Sequence, residues 1–368
     1  MKRAPVSGSV FATTIFLSSA QASDYQVLHS FDGSDGASPN GNLVLDQAGN
    51  LYGATFGGGE SGLGTIFKLS TAGEYSVVHS FTGGVDGGDP SAGLAIDPST
   101  GDFYGTTTTG GSLGRGGIFR LTAAGQLTVL HDFNRDTDGI APSAQLTPDG
   151  SGNFYGTTYQ EGPTGGGTVF ELASTGSFKV LHAFRGREGG EPAGRLERHG
   201  ASLFGVNFIG GSGSGTIFKT KLDGTTTVLC TPNQGVGFAG GPARDDSGNL
   251  YGASFWGQGT IYALSRKGTL STLYAFTGGA DGHVPVGELV LTNHGKLYGA
   301  ANRGGIDDNG TLFKLDLQGN FTLLHSFTGD DGRLPMGGLT KGSDGKLYGT
   351  TSMGGSHDQG VIFSVAAR

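Results

Sequence analysis

Cysteine is nearly missing from this chain: the 368 residues hold one, Cys230, so no disulfide can form within it. Long apolar runs are missing too. The longest stretch, VFATTIFLSS near the N-terminus, is too short and too broken by hydroxyls to span a bilayer. No window past that point carries the 3.6-residue apolar period of an amphipathic helix of about ten residues or more. A basic surface is absent: 23 Lys and Arg against 31 Asp and Glu give a net charge of −8, which argues against nucleic acid as a partner. There is no H-E-x-x-H, no paired-cysteine metal motif and no phosphate-binding loop. These absences leave a turn-rich β protein without a recognisable catalytic signature.

What is present in quantity is glycine, 74 residues with no collagen-like triplet period. The glycines punctuate a repeat. A bulky pair followed by glycine, LYG, FYG or LFG, ends at Gly53, Gly105, Gly156, Gly205, Gly252, Gly299 and Gly349. Successive differences are 52, 51, 49, 47, 47 and 50 residues. A fixed period near fifty marks one supersecondary unit that must stack on its neighbours to bury its apolar faces. The repeats run over about 24–73, 74–125, 126–176, 177–224, 225–268, 269–319 and 320–368.

The first 22 residues stand apart. Lys2 and Arg3, the apolar run and Ala20-Gln21-Ala22 are the three parts of a secretory signal peptide, with cleavage expected after Ala22. Removal of two cations leaves 21 against 31, a mature charge of −10. The expected location is secreted or periplasmic, the product soluble after cleavage and monomeric, without membrane insertion.

Each repeat divides into four short β segments, in the first copy YQVLHSF (25–31), NLVLD (42–46), NLYGAT (50–55) and GTIFKLS (64–70). Tight Asp/Asn/Gly turns alternate with long glycine-rich joints, as in antiparallel hairpins. Four antiparallel strands in seven copies predict an all-β fold, a single seven-bladed propeller over residues 23–368. An open solenoid would need distinct capping repeats, and neither end copy is one.

The unit LHSFTGG-DG-P-GGL-D-G-LYGTT-GG-GT-FKL, over about residues 24–366, resembles the GloVer tandem repeat of bacterial exported proteins. Its D-x-x-G-N-L-Y-G-T-T core is also similar to two-component-regulator-type propeller repeats. The resemblance implies the repeat architecture and an extracellular address, and no agreed activity. By analogy with such propellers, GGLxLD is the innermost strand and LHSF the outermost strand of the preceding blade. YQVLHSF would then close the ring on GVIFSV (360–365). That would remove two exposed sheet edges.

All long joints then lie on one face of the disc, where a ligand is expected. Recurring residues are most simply structural. His29, His79, His131, His182 and His325 occupy one position around the ring, cannot converge on one metal, and are expected to satisfy backbone groups between blades. Cys230 takes that position in another copy as a small apolar filler. The paired carboxylates of the long joints are read first as turn-forming residues. Calcium is the one cofactor such loops would suit, best at Asp136-Thr137-Asp138-Gly139, although none matches the full calcium-loop spacing.

Departures from the repeat are more telling. The position before the inner-strand leucine reads Asn42, Gly93, Gln145, Arg195, Gly241, Glu288 and Gly338. Asn, Gln, Arg and Glu are not needed for packing at a crowded axis. They predict a polar site at the loop-side mouth, with Asn207, Trp256 and Asn302 on its rim; Tyr159, an aromatic at a matching loop-face position, is a further candidate. Aromatic residues beside amides and charges suit sugars, so the expected role is a binding propeller for a glycan or other polar cell-surface ligand. The alternative is a polysaccharide lyase or glycoside hydrolase using the same face, with Arg195, Glu197, His199, Tyr159, Glu288 and His283 as candidates for the acid and base it would need.

Overall fold

The computed structural model describes residues 25–211, 213–232 and 237–367. The expected cleavage site after Ala22 lies outside them. Seven antiparallel sheets form the blades of a β-propeller, and among the described residues the only helical turn is a 3-10 turn at Gly186–Glu188. From axis to rim the first blade runs Val44–Leu45, Leu51–Thr55, Thr65–Leu69 and Tyr75–Ser80. Five inner strands are short pairs of residues; the fourth and fifth blades have long ones, Gly190–His199 and Phe238–Arg244.

The ring closes as the out-of-phase repeat predicts. Gln26–Ser30 is the outer strand of the last blade and pairs antiparallel with Val361–Ala366, setting Gln26 opposite Ser364 and Ser30 opposite Val361. The solenoid is thereby excluded.

The repeated glycine has a local cause. A Cβ on Gly53 would come 2.5 Å from Cζ of Phe67, whose ring lies across the neighbouring strand. Gly105 over Phe119, Gly156 over Phe170 and Gly349 over Phe363 repeat that contact at 2.4–2.6 Å. The ring can lie there because the glycine has no side chain. Against it packs the phenylalanine ending the preceding outer strand: Phe31 on Phe67 at 5.3 Å, and Phe184 on Phe218 at 4.8 Å. Each such pair straddles two blades and is fully buried. Truncating one of these rings costs about 3–5 kcal/mol.

The tyrosine of LYG serves the same seam from the other side. Tyr52 lies 4.2 Å from Phe103 of the next blade, within a cluster that also holds Ile66, Phe81, Leu94 and Phe119. The core is thus seven apolar layers between blades, arranged around a polar axis.

Candidate functional site

The recurring histidines find carboxylates, where backbone partners were expected. Nε2 of His29 lies 2.8 Å from Asp35, His79 3.1 Å from Asp86, His131 2.9 Å from Asp138, and His325 2.8 Å from Asp331. In the sheet where tyrosine replaces histidine, Tyr274 donates to Asp281 at 2.9 Å. Glu188, one methylene longer, sits 3.4 Å from His182 and makes a looser pair. The imidazole faces stack on aromatic rings of neighbouring blades: His29 on Tyr75 at 3.7 Å, His131 on Phe178 at 3.7 Å, His325 on Tyr25 at 3.8 Å. A carboxylate in the loop satisfies the ring edge while the neighbouring aromatic covers its face, and the unit fastens two blades at the rim.

The loop carboxylates are engaged in the same way. Burial acts to raise the Asp331 carboxyl, but hydrogen bonds from His325 and Thr328 outweigh it and hold it below the usual range. Asp86 is held low in the same sense, with Thr82 and His79 as donors. Of the calcium candidates, Asp138 accepts from His131, from Asn134 N at 3.0 Å and from the Thr137 hydroxyl at 2.8 Å. Asp136 donates its backbone N–H to Asn134 at 3.0 Å. Among the described residues no group of three His, Cys, Asp or Glu is arranged to hold a metal.

The axis is different in kind. Asn42, Gln145, Arg195 and Glu288 meet there. Asn42 Nδ2 donates to Glu288 Oε2 at 2.8 Å and to Gln145 Oε1 at 3.2 Å. The backbone N–H of Arg195 donates to Glu288 Oε1 at 2.9 Å, while its Nε stands 3.4 Å from Oε2. Gly338 N donates to Asn42 Oδ1, and Gln145 Nε2 to the Leu94 carbonyl. The three glycines at equivalent positions make room. A Cβ on Gly93 would fall 2.4 Å from the Asn42 carbonyl oxygen, and one on Gly241 1.9 Å from that of Arg195.

This polar layer borders two cavities. On the side where the long loops enter the inner strands, a volume of about 160 Å³ lies between it and residues such as Asn40, Ser91 and Met336. Toward the tight turns, a volume of about 470 Å³ is lined by Leu45, Ile96, Arg195, Glu197, Arg244 and Lys341. Burial raises the Glu197 carboxyl and nearby Glu288 adds to the effect, against the lowering influence of Arg195 and Arg244. The larger hollow is on the face opposite the long loops, a feature that repeat regularity concealed.

The remaining four candidates do not line either cavity. Asn207 is wholly buried and donates to Thr216 at 3.0 Å, standing where other blades pair two hydroxyls, as Thr55 and Thr65 do at 2.9 Å. Asn302 Nδ2 contacts the Met336 sulfur at 2.8 Å on the loop side. Tyr159 donates to Glu191 at 2.9 Å, and its ring begins an aromatic run. Phe208 is 6.5 Å from Tyr159 and stacks on Phe255 at 5.3 Å with 12° between planes. Trp256 follows and is 57% exposed. These four rings occupy the same loop-face zone of the third, fourth and fifth blades. Of the acid and base candidates, His283 lies on the loop side within 3.3 Å of Asp308, whereas His199 is on the turn side, 3.1 Å from Arg244. The six are therefore divided between the two ends of the molecule.

Residues 4–218 and 197–368 match the family described as the Gloeobacter/Verrucomicrobia repeat. No curated protein matches the chain. Among solved structures it is similar to a gluconolactonase from Xanthomonas campestris, with 13% identity over 93% of this chain and 89% of that one and a TM-score of 0.50. TolB from Acinetobacter baumannii matches 62% of this chain at 18% identity, with a TM-score of 0.43, and the chain spans about half (52%) of TolB. At such identities the likeness concerns the fold alone. No helix of the described residues is long and apolar enough to cross a membrane.

Proposed function

This chain belongs to the Gloeobacter/Verrucomicrobia repeat family, and on that footing we propose that it is a secreted or periplasmic binding propeller whose loop face takes a glycan. The observation that carries the reading is the aromatic run Tyr159, Phe208, Phe255 and Trp256, with Trp256 more than half exposed. Isolated exposed apolar residues need no explanation, but neighbouring rings on three consecutive blades form a surface. Flat rings offer stacking faces to sugars, and the Glu191 carboxylate beside Tyr159 and the Asn302 amide offer partners for hydroxyls. Export rests on the basic start, apolar run and Ala20-Gln21-Ala22 of the sequence. An intact mass beginning at Ser23 is the expected result for the secreted protein.

The binding test is affinity electrophoresis of the full mature chain in gels containing pectin, xylan or a β-glucan. At least one should retard the protein, and Trp256→Ala should weaken that retardation about tenfold, within the range for loss of a stacking aromatic. Retardation by none of them, or retardation indifferent to Trp256→Ala, overturns the assignment. Release of reducing ends or unsaturated uronate in the same mixtures would move the protein to the lyase or hydrolase class.

A further inference from the structure

The turn-side hollow has a chemistry opposite to that of the whole molecule. The chain carries a net charge of −8, yet the hollow is lined by three cations, Arg195, Arg244 and Lys341, and two carboxylates, Glu197 and Glu288. Glu288 is not free for a ligand: it accepts from Asn42 and from the Arg195 backbone. Arg195 approaches it with Nε at 3.4 Å, and its guanidinium nitrogens make no hydrogen bond among the described residues. Arg244 spends one nitrogen on His199 at 3.1 Å, and Lys341 makes no ion pair among the described residues. Glu197 has no hydrogen-bond partner among them either.

A guanidinium fork with unused donors fits a carboxylate edge-on. The walls between the charges are Leu45, Ile96 and Leu291, apolar surfaces suited to C–H groups. At about 470 Å³ the hollow falls within the size range of small-molecule sites. We propose that this hollow, on the face opposite the long loops, is a second binding site for a small organic carboxylate of monosaccharide size, held by Arg195, Arg244 and Lys341. Glu197 sets the selectivity: as a carboxylate it opposes the ligand's charge, and as a carboxylic acid it donates a proton to it. The inference does not rest on the loop-face reading.

Calorimetric titration of the full chain at pH 7 and low salt tests it, with D-glucuronate, D-glucose and inorganic phosphate as probes. Glucuronate should bind at least tenfold more tightly than glucose. Arg195 is part of the axial network, so its removal risks the fold, and the variants of choice are Arg244→Gln and Lys341→Gln on the wall. Arg244→Gln should weaken glucuronate binding about tenfold, while Glu197→Gln, which removes the opposing charge and keeps a donor, should strengthen it severalfold. Equal binding of glucose, or binding unchanged in both wall variants, overturns the proposal. Phosphate binding as tightly as glucuronate also overturns it, leaving an anion cluster with no organic site. Polysaccharide retardation is read on the other face, so failure of either reading is seen separately.

Discussion

The rim and the axis of this propeller use similar side chains to opposite ends. At the rim one arrangement is copied round the ring: a histidine or tyrosine and a loop carboxylate six or seven residues later, with a facing aromatic ring at His29, His131, Tyr274 and His325. Because the copies are far apart, none can depend on another. At the axis the seven equivalent positions lie within reach of each other, and no two side chains there are alike: Asn42, Gln145, Arg195 and Glu288, with glycine at the other three. A change at one axial position strands the polar atoms of the rest. Repetition is stable where contacts stay within a seam, and individuality is enforced where all blades meet.

The greatest loss is expected from removing the strand that both regions rely on for a closed ring. Deleting residues 25–30 strips the ladder from Val361–Ala366 and removes the stack of Tyr25 on His325. At about 1 kcal/mol for each ladder bond, the loss is roughly 5 kcal/mol, with a bare edge that favours aggregation. Chemical denaturation and light scattering would measure both; a variant as stable as the parent would refute the dependence.

Next comes the axis. Glu288→Ala leaves the Arg195 backbone N–H without its acceptor and the Asn42 amide with Gln145 alone, and should cost about 2–4 kcal/mol, the half-exposed Arg195 keeping the figure below that of a dry pair. At the rim, Asp331→Ala removes one copy of a repeated unit and should cost about 1–3 kcal/mol. The comparison fails if the order is reversed. Since the folded-state Asp331 carboxyl titrates below its unfolded value, its contribution is full above the ordinary range near 4. It should fade as pH falls through the lower folded value, so the two proteins converge on acidification.

The smallest effect is expected at Glu197. Its carboxyl is raised in the folded state, so the charged form costs stability above that raised value. Glu197→Gln should therefore melt slightly higher than the parent at pH 8, the difference shrinking toward pH 4. A lower melting temperature at pH 8 would show that Glu197 is held by a favourable contact.

Period and phase made the blades and the ring closure legible in the residues, because each LYG glycine answers to a ring on the adjacent strand. The partner of the histidine was missed, although the spacing from His29 to Asp35 and from His131 to Asp138 was visible. A separation says nothing of direction until the outer strand is placed against its neighbour. At the axis, Asn42, Gln145, Arg195 and Glu288 could be found as departures from the repeat. Sequence could not show that they bond chiefly with each other, nor that the larger hollow lies toward the tight turns. Those depend on side-chain lengths converging across the ring. Asn207 departs from the pattern for a local reason, replacing a hydroxyl pair with an amide.

The closing strand has a kinetic meaning as well. Val27 pairs with Phe363 and Ser30 with Val361, so the contact that closes the ring joins segments from opposite ends of the described residues. Pairings so distant along the chain are slow to find, and until this one forms the last blade presents an open edge at Val361–Ala366. Joining the two ends by a short linker and opening the chain at the exposed Val85, in the joint between Tyr75–Ser80 and Ala95–Ile96, would make those strands neighbours in sequence and leave every blade contiguous. Such a permuted chain should refold faster than the parent while reaching the same ring.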